Sequence, residues 1–106
     1  GRQAALEFLQ HHPEVTALLA YNDLVAVGAM QACETLGRAV PGSCAIVGWD
    51  DIVFASYVSP PLTTMRMPRY HLGEVAMSLL CDLMAEPTRA PEPVTLEAEL
   101  VVRGTT

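Results

Sequence analysis

Two short apolar runs, each ending in a pair of polar residues, constrain this chain more than anything else in it. Residues 15–21 read VTALLAY and lead into Asn22-Asp23; residues 45–49 read AIVGW and lead into Asp50-Asp51. A continuous apolar run of this length, bounded by turn formers, suits a strand buried on both faces, as in a parallel sheet covered by helices. Between the runs the period changes. Asn22 offers a side-chain cap and Asp23 a negative charge at a helix start, both favourable there. That helix is expected to run to about Leu36 and to stop at Gly37, a good residue for a helix end.

The same alternation extends to both ends of the chain. Residues 3–11 place Ala5, Phe8 and Leu9 on one side of a short amphipathic helix, stopped near Pro13. A loop containing Pro41-Gly42 precedes the second strand, and a short helical turn is expected over residues 54–58. Pro60-Pro61 then forces an extended entry into a strand over residues 62–67. Pro68 suits the first position of the next helix, where Leu72, Val75, Ala76, Leu79, Leu80 and Leu83 recur at helical spacing up to about Ala85. Residues 86–93 read as a Pro-rich linker, and residues 95–102 alternate loosely as a last strand. The order α-β-α-β-β-α-β, with short connections, implies an α/β fold: an open, mainly parallel sheet flanked by helices.

Composition narrows the function classes. Hydrophobic residues make up 51% and charged residues 17%, enough apolar surface to build a core and too much for a disordered chain. No run approaches the ~18 apolar residues of a membrane span, and no signal-peptide pattern opens the chain, which enters a helical pattern almost at once, as a chain cut at its front would. Twelve Asp and Glu stand against six Arg, and there is no Lys. The arginines are scattered, so these residues lack the basic patch by which a module grips phosphates. Cys33, Cys44 and Cys81 form no C-x-x-C, and His11, His12 and His71 supply no matching ligand pairs. Reduced cysteines in a cytoplasmic protein are therefore expected, with no metal and no cofactor. A nucleophile elbow, a glycine-rich phosphate loop and an H-E-x-x-H are all missing, so no enzyme is expected.

Chemistry is left to the strand tips. In open α/β sheets ligands bind beyond the carboxyl ends of the strands, where Asn22 and Asp50 fall. An amide that both donates and accepts, beside a carboxylate that accepts from two hydroxyls, suits a polyhydroxylated ligand such as a sugar. The alternative is that Asn22 only caps its helix and Asp50 only caps a turn. Asp50 and Asp51, on extended backbone, would point to opposite sides and share no substrate. On the helix from Asp23, Val25, Ala29, Ala32, Cys33 and Leu36 form one apolar stripe. Leu24, Val27 and Met30 form a second, which faces either a neighbouring helix or another subunit.

Taken together, these strings resemble the lactose-repressor/galactose-repressor family. Residues 20–29 (AYNDLVAVGA) are similar to its A-x-N-D-x-x-A-x-G signature. Val40-Pro41-Gly42 followed by IVGWDD at residues 46–51 is similar to V-P…I-V-G-[FYW]-D-D. PPLTT at residues 60–64 and ELVVR at residues 99–103 complete the set, in family order over essentially the whole chain. The resemblance implies a periplasmic-binding-protein-like core of two subdomains around a small effector, joined to a helix-turn-helix headpiece that binds operator DNA and lies outside these residues. It implies effector contacts at Asn22 and Asp50, with Met67 and Arg69 near further effector-facing positions, and a homodimer interface at Val27, Tyr57 and Val58. The division it implies is residues 1–67 in the C-terminal subdomain, residues 68–93 as a crossover helix and linker packing with the N-terminal subdomain, and residues 94–106 as a returning strand. The apolar face of that crossover helix would then need a partner, preferably a second copy. A sugar-binding protein of a transport system, on the same fold, is the other reading.

Overall fold

The computed structural model describes residues 1–88 and 90–106; Arg89, within the expected Pro-rich linker, lies outside the described residues. The elements are helix α1 (Arg2–His11), strand β1 (Ala17–Leu19), helix α2 (Asp23–Thr35), strand β2 (Ala45–Trp49), a 3-10 turn (Val53–Ser56), strand β3 (Thr63–Arg66), helix α3 (Arg69–Ala85) and strand β4 (Glu99–Val101). The strands lie in the order β1-β2-β3-β4. The first three are parallel and β4 returns antiparallel to β3. The architecture is the open, mostly parallel sheet with flanking helices that the alternation implies.

Local chemistry sets the ends of α2. Asn22, in extended backbone, accepts a hydrogen bond from Val25 N–H through its side chain, and Gly37 takes the left-handed conformation (φ 66°) just past the helix. The face carrying Ala26, Ala29, Ala32 and Cys33 is buried, and Leu9 of α1, Ile46 of β2 and Leu62 complete the core. Gly48 lets α2 approach the sheet: a Cβ there would lie 2.2 Å from Asp23 Oδ1.

The sheet is also closed from a distance. Thr105 Oγ1 donates to Ile46 O and accepts from Thr63 N–H, and Thr105 O accepts from Ile46 N–H, so one threonine joins β2 to β3.

Two expectations are corrected. The first strand is shorter than residues 15–21 and is not buried on both faces: Leu19 is 74% exposed and Ala17 is exposed. It has a single sheet neighbour, β2, so an apolar run has here become an edge strand. Asp50 and Asp51 are not extended either, since both have positive φ (107° and 50°).

The chain forms two compact units, one of residues 1–66 with 99–106 and one of residues 67–98. In the second, α3 has no buried residue: Val75, Leu79 and Leu83 are half-buried, and Leu72, Met77, Leu80 and Met84 are exposed. Leu79 and Leu83 line a small cavity of about 110 Å³ with Pro91 and Val94.

Candidate functional site

The carboxyl ends of β1 and β2 are brought together by pairing. The register places Leu19 beside Val47, so Asn22 and Asp50 each lie three residues beyond a paired position. Ala20 N–H donates to Val47 O, which carries the pairing one residue past β1, and Asp50 N–H donates to Met65 O, which ties the tip of β2 to β3. Both residues are half-buried at the rim.

Their side chains are committed to different degrees. Asn22 Oδ1 is occupied by the cap to Val25 N–H at 2.9 Å, so the capping alternative is true of that oxygen, and the side-chain NH₂ is the part left for a ligand. Among the described residues the Asp50 carboxylate takes no side-chain hydrogen bond or ion pair. The backbone that presents this carboxylate at the strand tip is itself strained, with φ of 107°.

Two further aspartates fix this rim, and their roles were not visible in the sequence. Asp23 is fully buried: Oδ1 accepts from Thr64 Oγ1 and Oδ2 from Ile52 N–H at 2.8 Å. One carboxylate thus joins the start of α2, strand β3 and the loop after Asp51. Asp51 accepts from Arg66 Nε at 2.7 Å and from Arg103 Nη2 at 2.6 Å, and Arg66 Nη1 also reaches Glu99 Oε2 at 3.2 Å. Burial pushes the Asp51 carboxyl upward, but the hydrogen bonds and charges of Arg103 and Arg66 outweigh it and hold the group below the usual carboxylate range. These partners stand 15 and 52 residues away in the chain, so no local pattern signals them.

The remaining expected residues are placed as follows. Met67 and Arg69 belong to the second unit, Met67 half-buried and Arg69 exposed, with Arg69 N–H donating to Met67 O. Val27 and Val58, both half-buried, line one open groove of about 460 Å³ together with Met30, Arg38, Val40 and Phe54. Tyr57, 77% exposed, lies in the segment leading to Val58. This groove runs along α2 and the segment up to Pro60, and neither Asn22 nor Asp50 lines it. Its lining is mostly apolar, unlike the polar rim at Asn22 and Asp50. No cluster of three metal-ligating side chains exists among the described residues, and no described helix is long and apolar enough to cross a membrane.

This open, mostly parallel sheet with flanking helices is of the α/β class, whose members bind ligands beyond the carboxyl ends of their strands. Residues 2–106 match the model of the periplasmic binding protein-like domain, and the chain belongs to that family. Over 104 residues it is 36% identical to the ribose operon repressor of Escherichia coli K12, covering 98% of this chain and 32% of the repressor. It superposes with a TM-score of 0.84 and 38% identity on a LacI family transcriptional regulator from Arthrobacter sp. FB24 in complex with lactose, covering 99% of this chain and 40% of that one. The lac repressor dimer bound to operator and an anti-inducer gives a TM-score of 0.85 at 31% identity, covering 99% of this chain and 36% of that one. The chain spans about a third of the length of the curated relatives it matches.

Proposed function

We propose that these residues are the effector-sensing and dimerising part of a bacterial transcriptional repressor whose effector is a sugar or similar small polar metabolite. The observation that carries the reading is the placement of the Asn22 amide and the uncommitted Asp50 carboxylate at the tips of adjacent parallel strands. Together they offer the donors and acceptors that the hydroxyls of a polyhydroxylated ligand need, a binding role rather than a catalytic one. The lactose held by the Arthrobacter regulator supports the ligand class. Met67 and Arg69 are further candidate effector contacts, proposed from the resemblance alone. The ribose operon repressor and the Arthrobacter regulator are transcriptional regulators, which favours the repressor over the transport reading.

Assembly follows from the second stripe of α2. Val27 and Val58 line an open, mostly apolar groove, and Tyr57 is an exposed aromatic close by in the chain. A homodimer through this face would cover it, in keeping with the dimeric lac repressor. Operator DNA would be held by a helix-turn-helix part outside these acidic residues, and the protein would work in the cytoplasm.

The test is calorimetry on the full-length gene product with ribose, lactose and a panel of neutral saccharides and nucleosides. Asp50→Ala is expected to weaken the binding found for the unchanged protein by about 10- to 100-fold, the worth of a charge-assisted hydrogen bond. Unchanged affinity in that variant would remove Asp50 from the site.

A further inference from the structure

We infer that Asp51 is a positioning residue: it couples effector binding at Asp50 to the two chain segments that leave and re-enter the first unit. The inference rests on the effector reading of Asp50, and it deepens that reading by naming how binding is passed on. Arg66 is the last residue of the first unit before the chain leaves it, and Glu99 is the first on its return. The two are direct partners across β3 and β4 and are joined by a salt bridge. Asp51 holds Arg66 with one carboxylate oxygen and Arg103, just past β4, with the other. A single side chain therefore grips both the outgoing and the returning segment.

The same residue is covalently next to Asp50. Both have positive φ, Asp50 at 107° and Asp51 at 50°, a backbone conformation that residues other than glycine rarely adopt. Asp50 N–H is in turn bonded to Met65 O, one residue before Arg66. A hydroxyl ligand that draws on the Asp50 carboxylate thus acts on a backbone pinned on one side by Met65 and on the other by the Asp51 side chain. Small changes at Asp50 turn the Asp51 carboxylate against Arg66 and Arg103. One carboxylate holds two guanidiniums through short charge-assisted hydrogen bonds, so the three respond as a set rather than independently.

The experiment uses the full-length gene product as unchanged protein and as Asp51→Asn, Arg66→Gln and Arg66→Lys. Without ligand, amide exchange at Asp50 is expected to quicken about tenfold or more in Asp51→Asn, and by more than exchange at the Leu62 amide, bonded to Ala55 O. With a saturating saccharide from the panel, peptides covering residues 63–67 and 97–101 are expected to gain protection in the unchanged protein. They should gain none in Asp51→Asn or Arg66→Gln, and Arg66→Lys should restore part of it. Arg66→Gln, at a half-exposed position, serves if Asp51→Asn does not fold. Equal protection in the variants, or an unchanged Asp50 amide in Asp51→Asn, overturns the coupling and leaves the effector reading standing. Failure of every saccharide and nucleoside to bind the unchanged protein overturns the effector reading, and the coupling falls with it.

Discussion

Replacing Asp23 with alanine should remove much of the stability of the first unit. The carboxylate is fully buried and accepts two hydrogen bonds, from Thr64 Oγ1 and Ile52 N–H. Each hydrogen bond to a charged group contributes about 1.5–3 kcal/mol, so the pair amounts to about 3–6 kcal/mol, and both donors would be left without this acceptor. Removing the carboxylate also removes its own desolvation cost, which brings the net loss to about 3–5 kcal/mol, the usual result of breaking a buried charged interaction. Against a total stability of about 5–15 kcal/mol for a domain, that is a large share. Urea unfolding followed by circular dichroism would measure it in Asp23→Ala, Thr64→Val and the double variant. Thr64→Val deletes one of the stranded donors, so the double variant should lose less than the sum of the singles, by about 1 kcal/mol or more. If Asp23→Ala does not fold, Asp23→Asn keeps the shape and an acceptor and should show a smaller loss of the same kind. A loss in Asp23→Ala of only about 0.5 kcal/mol, as at an ordinary surface position, or strict additivity in the double variant, would refute the reasoning.

Four more outcomes are expected from the structure. Gly48→Ala should cost about 1–3 kcal/mol or more by overpacking, because its Cβ would meet Asp23 Oδ1 at 2.2 Å and Leu62 Cδ2 at 2.9 Å. Gly73→Ala, exposed on α3 with nothing within 4 Å, should instead raise the melting temperature through a gain of up to about 1 kcal/mol. The lowered Asp51 carboxyl contributes stability that is present above the ordinary Asp value of about 3.9 and is lost as pH falls through its lower folded value. The gap in urea midpoint between the unchanged chain and Asp51→Asn should therefore narrow on going from neutral pH to below 4, and a gap independent of pH would contradict the ion-pair account. Burial and the neighbouring Cys44 push the Cys33 thiol up to about 11, so Cys33 and buried Cys44 should resist alkylation near neutral pH until the protein unfolds, while exposed Cys81 reacts at once. Mass spectrometry of the alkylated native chain checks this.

Much of the fold was legible because it is written in local patterns. The change of hydrophobic period at Asn22, the cap there, Gly37 at the helix end and Pro60-Pro61 before β3 each act within a few residues, and the elements fell where those signals put them. The exposure of β1 was not legible, since an apolar run does not say how many strands will flank it, and one neighbour leaves Leu19 in the open. The candidate site divided the same way. Asn22 and Asp50 could be placed from the rule that ligands lie beyond strand ends, but the conformation of Asp50-Asp51 could not. The roles of Asp23 and Asp51 depend on partners 15 to 52 residues distant, which only the folded chain brings near.

The bridge made by Thr105 has a consequence for the order of events in making this protein. Its partners, Ile46 and Thr63, are 59 and 42 residues earlier in the chain, and the whole of residues 67–98 is synthesised in between. As the polypeptide emerges, β1, β2 and β3 can pair while the seam between Ile46 and Thr63 still lacks its clasp. Contacts of such long range are formed late and slow the approach to the native state. The length of the intervening stretch matters little to the final equilibrium, because doubling a flexible loop adds only about 0.6 kcal/mol to the entropy of closing it. For closing the seam, what counts is that the returning segment delivers Thr105, rather than the number of residues spent on the way.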